Sequence, residues 1–379
     1  MKVLFITHHY LNLKGGGAFA SRAIINAFSQ VSENMTLLYP SKSGDKRPEI
    51  DAMVETIPVL FRKPLFVKLL LIYCGRIHRY YKIGKQYLTN SNKYDTVVFD
   101  NSITSHKLLR IAISRGLRVI TIHHNCQYDI TKDNTPWYTR IPMLFWVGRA
   151  EKESVRTSHL NLTLTESDKK RLLEKYSKTA IMAVLGIFET EPSEVPLIEK
   201  NEKRGYRYII TGNLSVKQTI DSLYYWLKNY YPLLVKQDEN SELIIAGKDP
   251  QRELYEICKG KRIRIIASPE NMSLLLKESD YYLCPIWQGS GIKLRIMDGL
   301  KFGIPVLTHV KSIRGYESFL GKGVYTYKDT TSFMQQIDLL KESVYDRQQI
   351  YNEYAKIFSF DSGLARLKSI LVDNGIIMI

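Results

Sequence analysis

The stretch Pro285-Ile-Trp-Gln-Gly-Ser-Gly-Ile-Lys-Leu-Arg-Ile-Met-Asp-Gly-Leu-Lys-Phe-Gly-Ile-Pro-Val-Leu-Thr308 reads as a strand end, a glycine loop, a helix, a turn and a second strand. Gly289, Ser290 and Gly291 let backbone amides come close to a ligand where the helix begins, and Ile292 closes the loop. Lys293 adds a full positive charge where the helix dipole already favours anions, so a diphosphate fits there. Asp298 stands more than one helical turn beyond Lys293, where its carboxylate can accept hydrogen bonds from vicinal hydroxyls of the same ligand. An anion site joined to a hydroxyl site suits a nucleotide sugar.

Outward from this segment, short β-rich runs alternate with longer helical patterns, which predicts βα units, parallel sheets and an α/β fold. A first series of strands is expected at Val3 to Thr7, Met35 to Tyr39, Thr96 to Asp100, Arg118 to His123, Leu160 to Thr165 and Ile181 to Leu185. A second is expected at Tyr208 to Gly212, Glu242 to Gly247, Arg262 to Ala267, Tyr281 to Ile286, Pro305 to Thr308 and Val324 to Tyr327. Between them, Glu189, Pro192, Pro196 and a dense mix of charges show no apolar period and read as a linker. The organisation that follows is a domain over 1–190, a linker over 191–205 and a second domain over 206–353. A closing helix over 354–379, with apolar spacing at Ile357, Leu364, Leu367, Ile370 and Leu371, has no strand partner and is expected to pack back on the first domain. Doubly wound sheets bind ligands beyond the C-terminal ends of their strands, so a cleft with the two domains facing each other is the expected site. Two α/β domains with separate tasks are the alternative that pattern alone leaves open.

A chain of 379 residues allows two domains with real cores, and 44% apolar with 24% charged residues describes a globular protein. Cys74, Cys126, Cys258 and Cys284 lie far apart without Cys-x-x-Cys spacing, which points away from zinc knuckles and disulfide frameworks and towards a reducing cytoplasm. No Asp-x-Asp occurs, and the histidines show no ligand spacing beyond the pairs His8-His9 and His123-His124, so no metal is expected. The apolar run at Val3 to Thr7 is too short for a secretion signal, so the mature protein is expected to start at Met1. The longest apolar stretch, Phe66 to Cys74, is broken by Lys68 and falls short of a membrane span. The net charge of +16 is uneven: residues 1–200 hold 29 basic against 18 acidic side chains, and residues 201–379 hold 25 against 20. From Arg62 to Lys93 eight basic residues occur with no acid, interleaved with aromatic and aliphatic residues. This reads as a basic amphipathic helix, either a solvated face or one that lies on an anionic membrane surface.

Further motifs fall at predicted strand ends. Gly15, Gly16 and Gly17 lead from the first strand into a helical pattern, where amides can meet an anion or a sugar hydroxyl. The spacing is not Gly-x-Gly-x-x-Gly and no acid follows the second strand, so a nicotinamide cofactor is not expected. Thr121-Ile-His-His-Asn-Cys-Gln127 closes a strand with His124 and Asn125 towards the ligand side. Asp100-Asn101-Ser102 either orients an acceptor or caps a helix. Thr165 before Glu166 and Asp168 is a helix cap. Arg314, in the loop after Thr308, is either a solvated charge or a further diphosphate contact.

The Gly-Ser-Gly-Ile-Lys run, the acidic residue after it and Gly303-Ile-Pro-Val306 resemble the donor signature of the retaining, family-four-like (glycosyl transferases group 1) enzymes of the GT-B fold. Ile210-Thr-Gly-Asn-Leu-Ser-Val-Lys-Gln218 is similar to the strand and loop that open the nucleotide domain in that family. The resemblance implies two Rossmann-like domains, the first for the acceptor and the second for the donor. It implies that Asp298 contacts the donor ribose, Lys293 the diphosphate, and Gly289 to Ile292 the sugar or phosphate. Asn213 stands where the family usually has Arg, Lys217 keeps the Lys role, and Arg295 is a further candidate. Ser290 stands where the first Glu of the family's Glu-x7-Glu pattern is usual, and Asp298 replaces the second. His124 and Asn125 resemble a His-Asn-x-Glu stretch that approaches the transferred sugar. Retention is likewise implied by the resemblance: the departing phosphate takes the acceptor proton while cations stabilise its charge.

The reading that follows is a metal-independent hexosyltransferase without a cofactor. It moves sugar from a nucleoside diphosphate donor to a saccharide or lipid-linked saccharide, in bacterial surface polysaccharide or glycoconjugate assembly. Its expected location is the cytoplasm, peripheral on the inner face of the cytoplasmic membrane through 62–93. The alternatives are a catalytically inactive scaffold with the same fold and, from the pI of 9.4, a nucleic-acid binder, although the basic run carries no nucleic-acid motif.

Overall fold

A computed structural model describes residues 1–377 except 14, 61–64, 76, 90–92, 193–204 and 289–291. The chain divides into two compact units: unit 1 is Met1–Pro192 with Ser359–Ile379, and unit 2 is Ser193–Phe358. The greater part of the expected linker, and Pro196 with it, lies outside the described residues.

Among the described residues unit 1 holds a seven-stranded sheet of β1 (Lys2–Thr7), β2 (Asn34–Ser41), β3 (Glu55–Leu60), β4 (Thr96–Asp100), β5 (Arg118–His123), β6 (Leu160–Thr163) and β7 (Met182–Val184). All its pairings are parallel, in the order β3-β2-β1-β4-β5-β6-β7. Parallel strands need crossover helices, which cover both faces, so the central strands are near-continuous apolar runs and not alternating ones. Val3 to Ile6 and Val97 to Phe99 are accordingly buried throughout. The winding reverses once, between β1 and β4, where Thr7 is the register partner of Asp100.

Unit 2 repeats the plan with β8 (Arg207–Asn213), β9 (Glu242–Lys248), β10 (Ile263–Ala267), β11 (Tyr281–Cys284), β12 (Val306–His309) and β13 (Val324–Tyr327). Their order is β10-β9-β8-β11-β12-β13, again parallel, with the reversal between β8 and β11. Its largely aliphatic core contains an aromatic cluster: Trp226, Tyr230, Tyr327 and Phe333 meet mostly edge to face, each ring adding its buried area and a preferred contact geometry.

Three expectations need correction. The first series lacked β3, which pairs with β2 at the sheet edge; Pro58 and a mixed apolar pattern hid it, and an edge is where a sheet tolerates proline. The basic stretch 62–93 is two helices, Leu65–Tyr73 and Tyr81–Thr89. Gly75 at φ +72° ends the first against Trp146, and Tyr80 is fully buried between them, so no continuous amphipathic face forms. Residues 62, 63 and 76 of that stretch lie outside the described residues. The closing helix is also two, Arg347–Phe358 and Phe360–Asp373, parted by Ser359, whose hydroxyl caps the second by accepting from Ser362 N at 3.2 Å. Tyr354 and Ile357 therefore belong to unit 2. In unit 1, Phe360, Leu367 and Leu371 are buried, and Gly363 leaves room for the Phe188 ring.

Gly212 and Gly247 are register partners at the C-terminal ends of β8 and β9, and a Cβ on Gly247 would overlap the Gly212 carbonyl oxygen. Because that neighbour is backbone, relief requires the sheet itself to shift. Gly247→Ala is expected to destabilise the chain by about 2–4 kcal/mol in urea unfolding; a change below about 0.5 kcal/mol would contradict the packing described.

Candidate functional site

Sheet topology decides which side chains meet in unit 1. At a reversal of winding the loops after neighbouring strands part to opposite faces and leave a crevice beyond the strand ends. The residues delivered there by β1, β4 and β5 are Thr7-His8-His9, Asp100-Asn101 and His123-His124-Asn125. Asp100 is fully buried and organises the group. Its Oδ2 accepts from the hydroxyls of Thr7 at 2.6 Å and Ser21 at 2.5 Å, and its Oδ1 lies 2.6 Å from His124 Nε2. Burial alone would push this carboxyl up, but the His124 charge and hydrogen bond, with His9 and the Ser21 hydroxyl, hold it well below the usual carboxylate range.

The surrounding imidazoles are biased towards neutrality. Burial lowers His8 and His123 to about 4, and it lowers His9 well below its ordinary value. His9 packs between His8 and His124, at ring-centroid distances of 3.9 and 4.7 Å. Its ring rests on Gly17, where a Cβ would overlap it. One ligand atom from each of His9, Asp100 and His124 lies within 4.8 Å of the others, so this trio has the composition and spacing to hold a metal ion. Asn125 Oδ1 is buried and meets no donor among the described residues. His123 is occupied otherwise, with Nε2 at 2.9 Å from Asn161 Oδ1.

Unit 2 builds a cationic counterpart at its own reversal. Gly212 at the end of β8 leaves space for the Arg295 guanidinium, which a Cβ would displace. Arg295, on the helix Leu294–Lys301, donates from Nη2 to Thr219 Oγ1 at 3.1 Å, and its Nη1 is buried and meets no acceptor among the described residues. Lys293 is the N-cap residue of that helix, and its carbonyl accepts from the Tyr316 hydroxyl at 3.0 Å. Burial lowers the Lys293 ammonium, and the positive charges of Arg314 and Arg295 lower it further. Three cations thus lie near one helix start, where the helix dipole also favours an anion.

The sequence-derived residues divide accordingly. Lys293, Arg295 and Arg314 are brought together, and Ile292 is half-buried against Gly315. Asp298 lies on the exposed side of the same helix. Gly289, Ser290 and Gly291 lie outside the described residues. Asn213 turns back on its own loop, its Oδ1 accepting from Ser215 N at 2.9 Å and Ser215 Oγ at 2.7 Å. Lys217 is exposed and pairs with Asp221 at 2.9 Å. Gly16 and Gly17 belong to unit 1, beside the histidines, and not to the unit that holds Lys293.

Asn101 caps a helical turn by accepting from Ile103 N, and Thr165 caps the helix Glu166–Tyr176 by accepting from Asp168 N. Thr7, Ser21 and Thr219 escaped the sequence reading, and His9 stands in it only as one of a histidine pair. Only the topology, which makes β1 and β4 neighbours, brings Thr7, His9 and Ser21 to Asp100.

Residues 205–342 match the family model described as Glycosyl transferases group 1. An uncharacterized 44.6 kDa protein in the cps region of Klebsiella pneumoniae is 21% identical over 180 residues, which is 44% of this chain and 46% of that protein. The match thus spans about half the length of that curated relative. Among solved structures, the lipopolysaccharide outer core galactosyltransferase WaaB superposes with a TM-score of 0.65 at 11% identity, covering 98% of this chain and 99% of that one. Anabaena HepE in complex with UDP gives 0.65 at 10% identity over 98% and 100%. WaaG, a glycosyltransferase involved in lipopolysaccharide biosynthesis, gives 0.62 at 15% identity over 98% and 99%.

Proposed function

We propose that this chain, which has the GT-B fold of two Rossmann-like units and carries the glycosyl transferases group 1 match over residues 205–342, transfers a hexose from a nucleoside diphosphate sugar to a saccharide acceptor. The observation that carries this reading is the cation group of unit 2. Lys293, Arg295 and Arg314 stand at the start of the helix that follows the glycine loop, at the reversal of winding where such sheets take nucleotides.

In this reading Lys293 and Arg295 face the diphosphate, with Arg314 adjoining, and a divalent metal is not needed for charge. Loop 289–291 receives phosphate or sugar, and Asp298 takes the ribose hydroxyls. Arg295 joins Lys293 at the diphosphate, while Asn213 bonds within its own loop and Lys217 is an exposed side chain paired with Asp221. His124, fixed by Asp100, and Asn125, with a buried acceptor to spare, bind sugar hydroxyls. Transfer proceeds with retention, the leaving phosphate accepting the acceptor's proton while the cations stabilise its growing charge.

The acceptor is lipid-linked, in surface polysaccharide or glycoconjugate assembly, and unit 1 meets the membrane. No helix among the described residues is long and apolar enough to cross one. Two helices of unit 1 do expose large apolar side chains: Phe66, Leu70 and Tyr73 on Leu65–Tyr73, and Trp137, Ile141 and Phe145 on Trp137–Thr157. The Tyr73 hydroxyl donates to the Tyr138 carbonyl at 2.9 Å and ties the two together. Exposed Lys82, Lys85, Arg140 and Arg149 lie on this and the neighbouring helix Tyr81–Thr89. Such a surface suits the interface of an anionic bilayer, each cation near it contributing about 1 kcal/mol.

Two measurements check these assignments. Titration calorimetry with UDP, the nucleotide bound in the HepE structure, is expected to show Lys293→Ala and Arg295→Ala each weakening binding by about 1.5–3 kcal/mol; affinity unchanged in both would sink the donor site. In low salt the chain is expected to sediment with anionic vesicles and not with neutral ones, and Trp137→Ala with Ile141→Ala to reduce that; equal behaviour towards both lipids would rule out the membrane surface.

A further inference from the structure

We propose that His9, Asp100 and His124 form a binding site in unit 1 for a transition-metal dication of the Zn2+ or Co2+ type. Two imidazoles and one carboxylate are a donor set that such ions favour, and the three ligand atoms lie within 4.8 Å of one another. None of the three is on a long loop: Asp100 closes β4, His124 directly follows β5 and His9 stands two residues after β1. The strand ends that carry them are neighbours in the sheet, so the ligands are gathered before any ion arrives.

The groups behind the ligands are arranged as metal sites require. A ligating carboxylate needs its other oxygen held, and Asp100 Oδ2 accepts from both Thr7 and Ser21, which leaves Oδ1 turned to His124 Nε2. The Thr7 hydroxyl oxygen in turn accepts from His9 N at 3.1 Å, which ties the third ligand to the same network. Independently of the trio's spacing, His9 Nε2 is buried and meets no hydrogen-bonding group among the described residues. A buried imidazole nitrogen without a partner costs free energy that coordination in this neighbourhood would recover. Gly17 is what allows the His9 ring to sit there. His8 is not counted as a ligand, because its Nδ1 faces the Asp100 carbonyl at 3.4 Å.

On binding, the ion takes the place of the proton shared by His124 Nε2 and Asp100 Oδ1, and that proton leaves to solvent. Three protein ligands leave a fourth position for water or a ligand hydroxyl. Metal occupancy therefore replaces the hydrogen bond between His124 Nε2 and Asp100 Oδ1. The inference goes beyond the sugar-transfer reading and does not depend on it.

The test is titration of the chelator-stripped, desalted full chain with Co2+, read by the visible ligand-field absorption of a tetrahedral ion and by its loss when Zn2+ is added. Saturation at one ion per chain is expected, with His9→Ala and His124→Ala each weakening binding roughly tenfold or more. Ser21→Ala, which leaves all three ligands in place, is expected to weaken it by roughly tenfold. His9→Gln keeps the bulk of the ring position and is expected to behave as His9→Ala if the alanine variant fails to unfold cooperatively. No saturable signal in the parent chain, or a signal that survives in both histidine variants, as ligation at exposed Cys74 would give, overturns the proposal. The readout uses no nucleotide, so its failure leaves the UDP result for unit 2 untouched, and a failure there leaves this one standing.

Discussion

A parallel sheet wound in both directions must reverse once, and that constraint places the chemistry of both units. In unit 1 the reversal makes β1 and β4 neighbours, and in unit 2 it makes β8 and β11 neighbours. Loops after those strands cannot cover one another, so polar side chains delivered there are spared the apolar packing imposed on the rest of the sheet. Move β4 one place in the order and Thr7 no longer faces Asp100; the histidine group would dissolve although every residue of it remained.

The two reversals have opposite electrical character. At the unit 1 reversal stands the buried Asp100 carboxylate, kept ionised by His124 and two hydroxyl donors, among imidazoles that burial pushes towards neutrality. Unit 2 gathers Lys293, Arg295 and Arg314, and the Lys293 ammonium is lowered first by burial and then further by the other two charges. Basic side chains that converge at a helix start beyond a sheet reversal are a recurring feature of anion sites, which makes the cation group the stronger functional signal. The Asp100 carboxylate itself is held by Thr7, Ser21 and His124, an arrangement suited to orienting a ligand or holding an ion.

Most of the architecture was legible in the sequence because buried parallel strands are short apolar runs, and twelve of the thirteen strands among the described residues announce themselves so. The exception, β3, is an edge strand with Pro58, where the apolar signal is weakest. Helix breaks were harder: Gly75 ends a helix through its backbone conformation and Ser359 starts one with a hydroxyl cap, which apolar spacing does not register. At the sites, Lys293 and His124 could be read from local motifs. The placement of Arg295 could not, since it depends on Gly212 vacating space across the sheet. The same holds for His9 and Asp100, which are 91 positions apart and meet only through strand order.

Release of nucleoside diphosphate from a panel of nucleotide sugars, by the full chain with a lipid-linked saccharide acceptor and excess EDTA, tests the central reading most directly. The expected result is release from one donor that depends on acceptor and persists in the chelator, because protein cations supply the counter-charge. Absence of release from every donor, with magnesium and manganese restored as well as without them, would contradict sugar transfer; release only after restoring either ion would contradict the role given to Lys293 and Arg295.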